Sequence, residues 1–220
     1  MRVLVSCDAR SRSTLLVNSI SAKYNITYPG PHMLQKVQSV SVGLSENMYL
    51  RMLNHTISKN TGITKLYSNF YHSVNLKSLP IHFSNMSLAS FDLIFLTYRK
   101  NHTDRLCSFY ILKNYTRWGR DPLNVESNII IHENDYIRLS KLFFNETQIL
   151  ISLKNYLIHN NISFTLLEYN DVPVFLKDNE FPLNVKTPDI HLSMDYSSII
   201  SNYNEVDSYV KNNLNLSVSQ

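Results

Sequence analysis

Short apolar runs alternate along the chain with segments whose apolar residues recur at helical spacing. Arg2 to Cys7 reads as a short buried strand. A polar stretch follows, and then a helix over Leu15–Lys23 that begins just after Ser13-Thr14, two good N-cap residues. Residues 25–45 hold Pro29, Gly30, Pro31 and Gly43 and read as loop. From Glu46 the positions Tyr49, Leu50, Leu53 and Ile57 follow a helical period, Gly62 ends that helix, and Ile63–Phe70 reads as a second strand. The clearest strand is Phe91–Tyr98, apolar through its middle as expected of a strand covered on both faces.

The loop after Tyr98 leads into a helix in which Leu106, Phe109, Tyr110 and Lys113 share a face. Two further helices are expected at 133–144 and 147–159, then a fourth strand in SFTLLEY. Residues 173–188 are Pro-rich, and Ile199, Tyr203, Val206 and Val210 mark a last amphipathic helix. Strands alternating with helices predict an α/β fold of three layers, a small parallel sheet flanked by helices, formed as a single domain over 1–220.

Composition narrows the chemistry. The chain has 220 residues and only 4 Gly, at positions 30, 43, 62 and 119, from which neither GxGxxG nor GxxxxGKS/T can be assembled. That counts against dinucleotide-binding, kinase and P-loop NTPase readings of the usual kind. The net charge of +4 suits an anionic ligand, but the arginines are spread singly, so no nucleic-acid footprint is expected. No run reaches signal-peptide or transmembrane length, which predicts a cytoplasmic protein without a membrane partner, in the host cytoplasm if viral. The abundance of Asn and Tyr beside 3 Ala is what an AT-rich genome, viral or bacterial, would give. Cys7 and Cys107 are expected to be buried and reduced, and His32, His55, His82 and His132 form no metal-ligand spacing, so no metal is expected.

In parallel α/β folds ligands bind at the carboxyl ends of strands. The first strand is followed by Asp8-Ala9-Arg10-Ser11-Arg12-Ser13-Thr14, where a helix N-terminus, two guanidinium groups and three hydroxyls offer an anion site. The third strand is followed by Arg99 and, nine residues on, Ser108. Taken singly, these are also what a solvated helix N-terminus, a surface Arg and a helix Ser would look like. Two anion sites at neighbouring strand ends imply a ligand with two separated phosphates.

DARSRSTLL resembles the 5′-phosphosulfate loop of sulfotransferases, and FLTYRKNHTDRLCSFYIL resembles their 3′-phosphate segment. The spacing from Arg99 to Ser108 looks more like trehalose sulfotransferases, and DRLCSFY more like heparan-type enzymes; the glycine-rich C-terminal segment of the cytosolic small-molecule branch is missing. LLEYNDV and NYNEVDSYV are similar to a later strand end and to the C-terminal helix of the family. The resemblance implies a P-loop NTPase-like fold and the donor 3′-phosphoadenosine 5′-phosphosulfate (PAPS). It implies that Arg10, Ser11, Arg12, Ser13 and Thr14 hold the phosphosulfate, with Arg10 also catalytic, and that Arg99 and Ser108 hold the 3′-phosphate. Arg12 stands where the family usually has Gly, which predicts that this loop does not need a positive φ there.

For a general base the candidates are Glu46, in LSENMYL, and His72, after the second strand, with Glu46 preferred. Glu46 could equally be an ordinary first-turn acid, and Lys65, in the region where other branches place a Lys before a catalytic His, an ordinary strand-edge lysine. The acceptor is expected to be a saccharide or small molecule bound by loops 25–45, 73–90 and 173–195. A non-catalytic nucleotide- or anion-binding module and a divergent nucleotide kinase are the alternatives.

Overall fold

The computed structural model describes residues 1–28, 44–71, 74–115, 128–183, 195–214 and 218. Strand β1 (Val3–Cys7) leads into helix α1 (Ser13–Tyr24); α2 (Glu46–Lys59) leads into β2 (Ile63–Tyr67); α3 (Leu79–Asn85) precedes β3 (Leu93–Tyr98) and α4 (His102–Tyr115). The long α5 (Glu133–His159) precedes β4 (Thr165–Glu168), which is followed by α6 (Asp171–Asp178), α7 (Tyr196–Ile199) and α8 (Tyr203–Asn213).

The four strands form a parallel sheet in the order β2-β1-β3-β4. All five residues of β1 are buried, as its continuous apolar run requires of a strand paired on both edges and covered on both faces. Val3 and Val5 face a cluster with Leu16, Ile20, Leu167 and Leu176, from α1, β4 and α6. Leu4 faces the opposite cluster with Leu53, Ile57, Phe83 and Leu153, from α2, α3 and α5. The sheet is therefore the middle of three layers. Helices α4, α7 and α8 gather around the first half of α5 in a third apolar cluster, which includes Leu106, Tyr110, Phe143, Tyr196 and Val206.

Several sequence expectations are corrected. The helices expected at 133–144 and 147–159 are one helix of 27 residues, about 40 Å long. Only Asn145-Glu146 fell between them, and Glu146, with Thr147 beside it, points inward and binds Arg105. Helix α1 starts at Ser13 with Arg12 at its N-cap, so Ser13 and Thr14 lie in the first turn rather than before it. Strand β2 stops at Tyr67 and a 3₁₀ turn covers Ser68–Tyr71. The segment 73–90, expected as loop, holds α3 between two 3₁₀ turns. Within the Pro-rich segment, Pro173 sits in the first turn of α6, where a missing N–H breaks no helical bond. The last helix is interrupted at Ile200, which pairs with Ile129 instead. Gly62, expected as a helix stop, sits where a Cβ would lie 2.3 Å from the Thr27 carbonyl oxygen, so it permits the chain after α1 to cross close to the start of β2.

Candidate functional site

Strand β1 is continued by β2 on one side and by β3 on the other, so the strand order reverses beside β1 and opens a crevice at the carboxyl ends of β1 and β3. Cys7 pairs with Thr97, and the Asp8 N–H donates to the Thr97 carbonyl at 3.1 Å, so both loops leave the sheet at the same level.

Between β1 and α1 the backbone enters the left-handed region twice, at Arg10 (φ 63°) and Arg12 (φ 59°). This corrects the expectation that position 12 needs no positive φ: the conformation is the one glycine favours, and an arginine adopts it. Side chains of other residues hold the turn. The Ser11 hydroxyl, fully buried, donates to the Asp8 carbonyl at 2.7 Å and meets the Thr97 hydroxyl at 2.8 Å. Ser11 thus fastens the loop to β3 rather than facing the crevice. A turn of this kind gathers backbone N–H groups, and the first-turn N–H groups of α1 have no intrahelical partner.

Four cations surround this turn. Arg10 Nε donates to Ser108 Oγ at 2.9 Å, joining the loop after β1 to the helix after β3. Arg12 donates to the Tyr169 carbonyl at 3.1 Å, and its guanidinium lies 3.9 Å from the Tyr169 ring centroid. Arg99 lies 4.2 Å from the same centroid and reaches Asp104 at 3.4 Å. Lys65, buried in β2, donates from Nζ to Thr14 Oγ1 at 2.7 Å. It lies on the edge strand of the sheet, as expected, but is buried, and it supplies a cation to the N-terminus of α1 from the neighbouring strand.

Beneath the loop lies a buried ionic network. Arg105, with no exposed surface, pairs with Asp8 at 3.1 Å and with Glu146, and its Nε donates to the Ala9 carbonyl at 3.1 Å. Its guanidinium also lies 4.1 Å from the Phe143 ring centroid. Two carboxylates share one guanidinium here, and burial outweighs the cation: the Asp8 carboxyl is pushed up to about 7 and that of Glu146 is raised as well. The network ties the start of the loop to α4 and to the middle of α5.

One polar group in this region is left over. Tyr196 of α7 is buried, with its ring 5.8 Å from the Arg99 guanidinium. Its hydroxyl lies beside Ser108 and in the field of Arg99 and Arg10, yet makes no well-aligned hydrogen bond among the described residues. Excess donors, buried cations and an orphaned hydroxyl suit a ligand with an anionic group at each end.

The structure thus brings Arg10, Arg12, Thr14, Arg99 and Ser108 to one crevice, with Ser13 in the first turn beside them. Glu46 lies at the N-terminus of α2, where its carboxylate accepts from the Asn75 N–H at 3.2 Å; that hydrogen bond is to the segment after β2, not to the loop after β1. His72, His32, residues 29–43 of the loop 25–45 and residues 184–194 of the loop 173–195 lie outside the described residues. Arg105, Glu146, Tyr169 and Tyr196 escaped the sequence reading. Tyr169 was within reach of the strand-end rule, since it follows β4 directly, and Arg105 sits one turn before Ser108. Comparison of this chain with protein-family models, with curated proteins and with solved structures gives no match.

Proposed function

We propose that the chain is a sulfotransferase of P-loop NTPase-like architecture that uses 3′-phosphoadenosine 5′-phosphosulfate and an acceptor hydroxyl or amine on a saccharide or small molecule. The observation that carries this reading is the Arg10–Ser108 hydrogen bond of 2.9 Å, because it makes one site of the two segments that resemble the phosphosulfate loop and the 3′-phosphate segment. The donor supplies a sulfuryl group on a stable phosphate leaving group: the acceptor oxygen or nitrogen bonds to sulfur, the bridging S–O bond breaks, and its electron pair remains on the 5′-phosphate.

Within this reading, the first-turn N–H groups of α1, Thr14 and Lys65 bind the phosphosulfate end, since Lys65 Nζ already lies at the helix N-terminus. Arg10 and Arg12 offset charge that develops on the bridging oxygen, and Arg99 and Ser108 take the 3′-phosphate. Such transfer depends on positioning and charge stabilisation more than on covalent catalysis. The acceptor proton goes to a base, Glu46 or His72, worth about 10²–10⁴-fold. Ser11 acts indirectly, holding the loop through Asp8 and Thr97.

Lys65 at Thr14 also favours a second reading, a divergent nucleotide kinase, because it places a lysine where a phosphate chain would meet a helix N-terminus. A non-catalytic nucleotide-binding module would use the same residues without turnover. The test is incubation with sulfur-labelled donor and an acceptor library. Transfer by the wild type, with Glu46→Gln binding normally but turning over at least about tenfold more slowly, supports the enzyme with Glu46 as base. Absence of both transfer and slow donor hydrolysis contradicts it.

A further inference from the structure

We propose that the Tyr196 hydroxyl is a phosphate ligand, completing with Arg99 and Ser108 a subsite that selects nucleotides bearing a phosphate at the end of the site remote from α1. The inference rests on the functional reading above and adds a residue and a selectivity to it.

Tyr196 is 2% exposed, so bulk water does not satisfy its hydroxyl, and a buried polar group without a partner is costly. Around it stand groups that donate: the guanidinium of Arg10, that of Arg99, and the Ser108 hydroxyl, which accepts from Arg10 and keeps its own proton to give. The Asp104 carboxylate that Arg99 reaches at 3.4 Å also accepts from the Tyr203 hydroxyl at 2.9 Å. Ser108 Oγ is one acceptor facing several donors, and a tetrahedral oxyanion supplies several acceptors at once. The hydroxyl is also held in place: the Tyr196 ring belongs to the apolar cluster of α4, α5 and α8, and Asp195 caps α7 by accepting from the Ser197 N–H at 3.0 Å.

Isothermal titration of the full chain with 3′-phosphoadenosine 5′-phosphate and with adenosine 5′-phosphate tests this, on the wild type, on Tyr196→Phe and on Ser108→Ala, with thermal melts as the control for folding. Tyr196→Phe keeps the ring and its packing. It is expected to weaken the bisphosphate by about tenfold or more, as Ser108→Ala does, while adenosine 5′-phosphate binds within about twofold of wild type. Unchanged bisphosphate affinity in Tyr196→Phe, or an equal loss for both nucleotides, overturns the assignment while the wild type's preference for the bisphosphate upholds the functional reading. A wild type that binds both nucleotides alike overturns the assignment and that reading together.

Discussion

Arg105 shows how one buried side chain decides the geometry of a whole loop. It meets Asp8, Ala9, Glu146 and Thr147 with no surface exposed, and it is the only cation paired with those two carboxylates among the described residues. Removing one partner of such a network leaves uncompensated buried charge, so Arg105→Leu should destabilise the protein by about 3–5 kcal/mol in urea unfolding. The exposed pair Arg138–Asp135 is the contrast: Arg138→Ala should change stability by less than about 1 kcal/mol. A small effect at Arg105 would contradict the network's role. His82 offers a second residue-scale test. Its ring is buried against Tyr71 and Phe83, with Nε2 2.9 Å from the Tyr71 hydroxyl, and burial lowers it from the ordinary 6.5 to about 4. Between those values the unfolded chain binds a proton that the folded one does not, so this residue's contribution to stability rises from pH 4 to 6.5 and is constant above. Comparing wild type with His82→Phe across that range isolates it from Asp8, whose raised carboxyl acts with the opposite sign: there the folded state holds the proton, and stability falls as pH rises from about 4 to 7. A wild-type-minus-variant difference that is flat with pH would contradict the buried neutral histidine.

The elements carry a consequence of the chain's scarcity of glycine. Helices α5 and α6 end in the same pattern. After α5 the Ile162 N–H bonds to the Leu157 carbonyl and the Asn161 N–H to Ile158; after α6 the Phe181 N–H bonds to Leu176 and the Glu180 N–H to Lys177. Each pattern requires one left-handed residue, usually glycine, and here it is Asn161 (φ 54°) and Glu180 (φ 56°). Among the described residues, three of the seven non-glycine residues with positive φ are Asn, the residue that tolerates that conformation best after glycine, so part of what read as genome composition also does structural duty. Glutamate has no such tolerance, so Glu180→Gly should stabilise the protein by about 1 kcal/mol, read as a rise in the urea midpoint at unchanged slope. Lowered stability would contradict the cap. The strands were legible because each is a compact apolar run between polar turns. Helix ends were less so, because what fixes them is tertiary: the helix expected to stop before Asn145-Glu146 runs on, with Glu146 turned inward to Arg105, and Ile200 leaves its helix to pair with Ile129.

At the scale of the molecule, three apolar clusters meet around one crevice. Two cover the faces of the sheet, and the third packs α4, α7 and α8 on the first half of α5. Helix α5 runs through both the Leu4 cluster on one face of the sheet and the third cluster, and the Asp8–Arg105–Glu146 network lies at its middle, directly under the loop after β1. The cationic residues after β1 and β3 were legible from the rule that parallel sheets bind ligands at carboxyl strand ends. Tyr169 and Tyr196 were not, because each is defined by its surroundings: Tyr169 by the two guanidiniums on its ring, Tyr196 by a hydroxyl that makes no well-aligned hydrogen bond among the described residues. No helix among the described residues is long and apolar enough to cross a membrane. If the loops after β1 and β3 form one site for two separated anionic groups, the affinity of 3′-phosphoadenosine 5′-phosphate against that of ATP, for the wild type, Arg10→Ala and Arg99→Ala, shows it. The bisphosphate is expected to bind at least about tenfold more tightly than ATP, and either substitution to cost about tenfold or more of that affinity. Preference for ATP, or bisphosphate binding indifferent to both arginines, would contradict it.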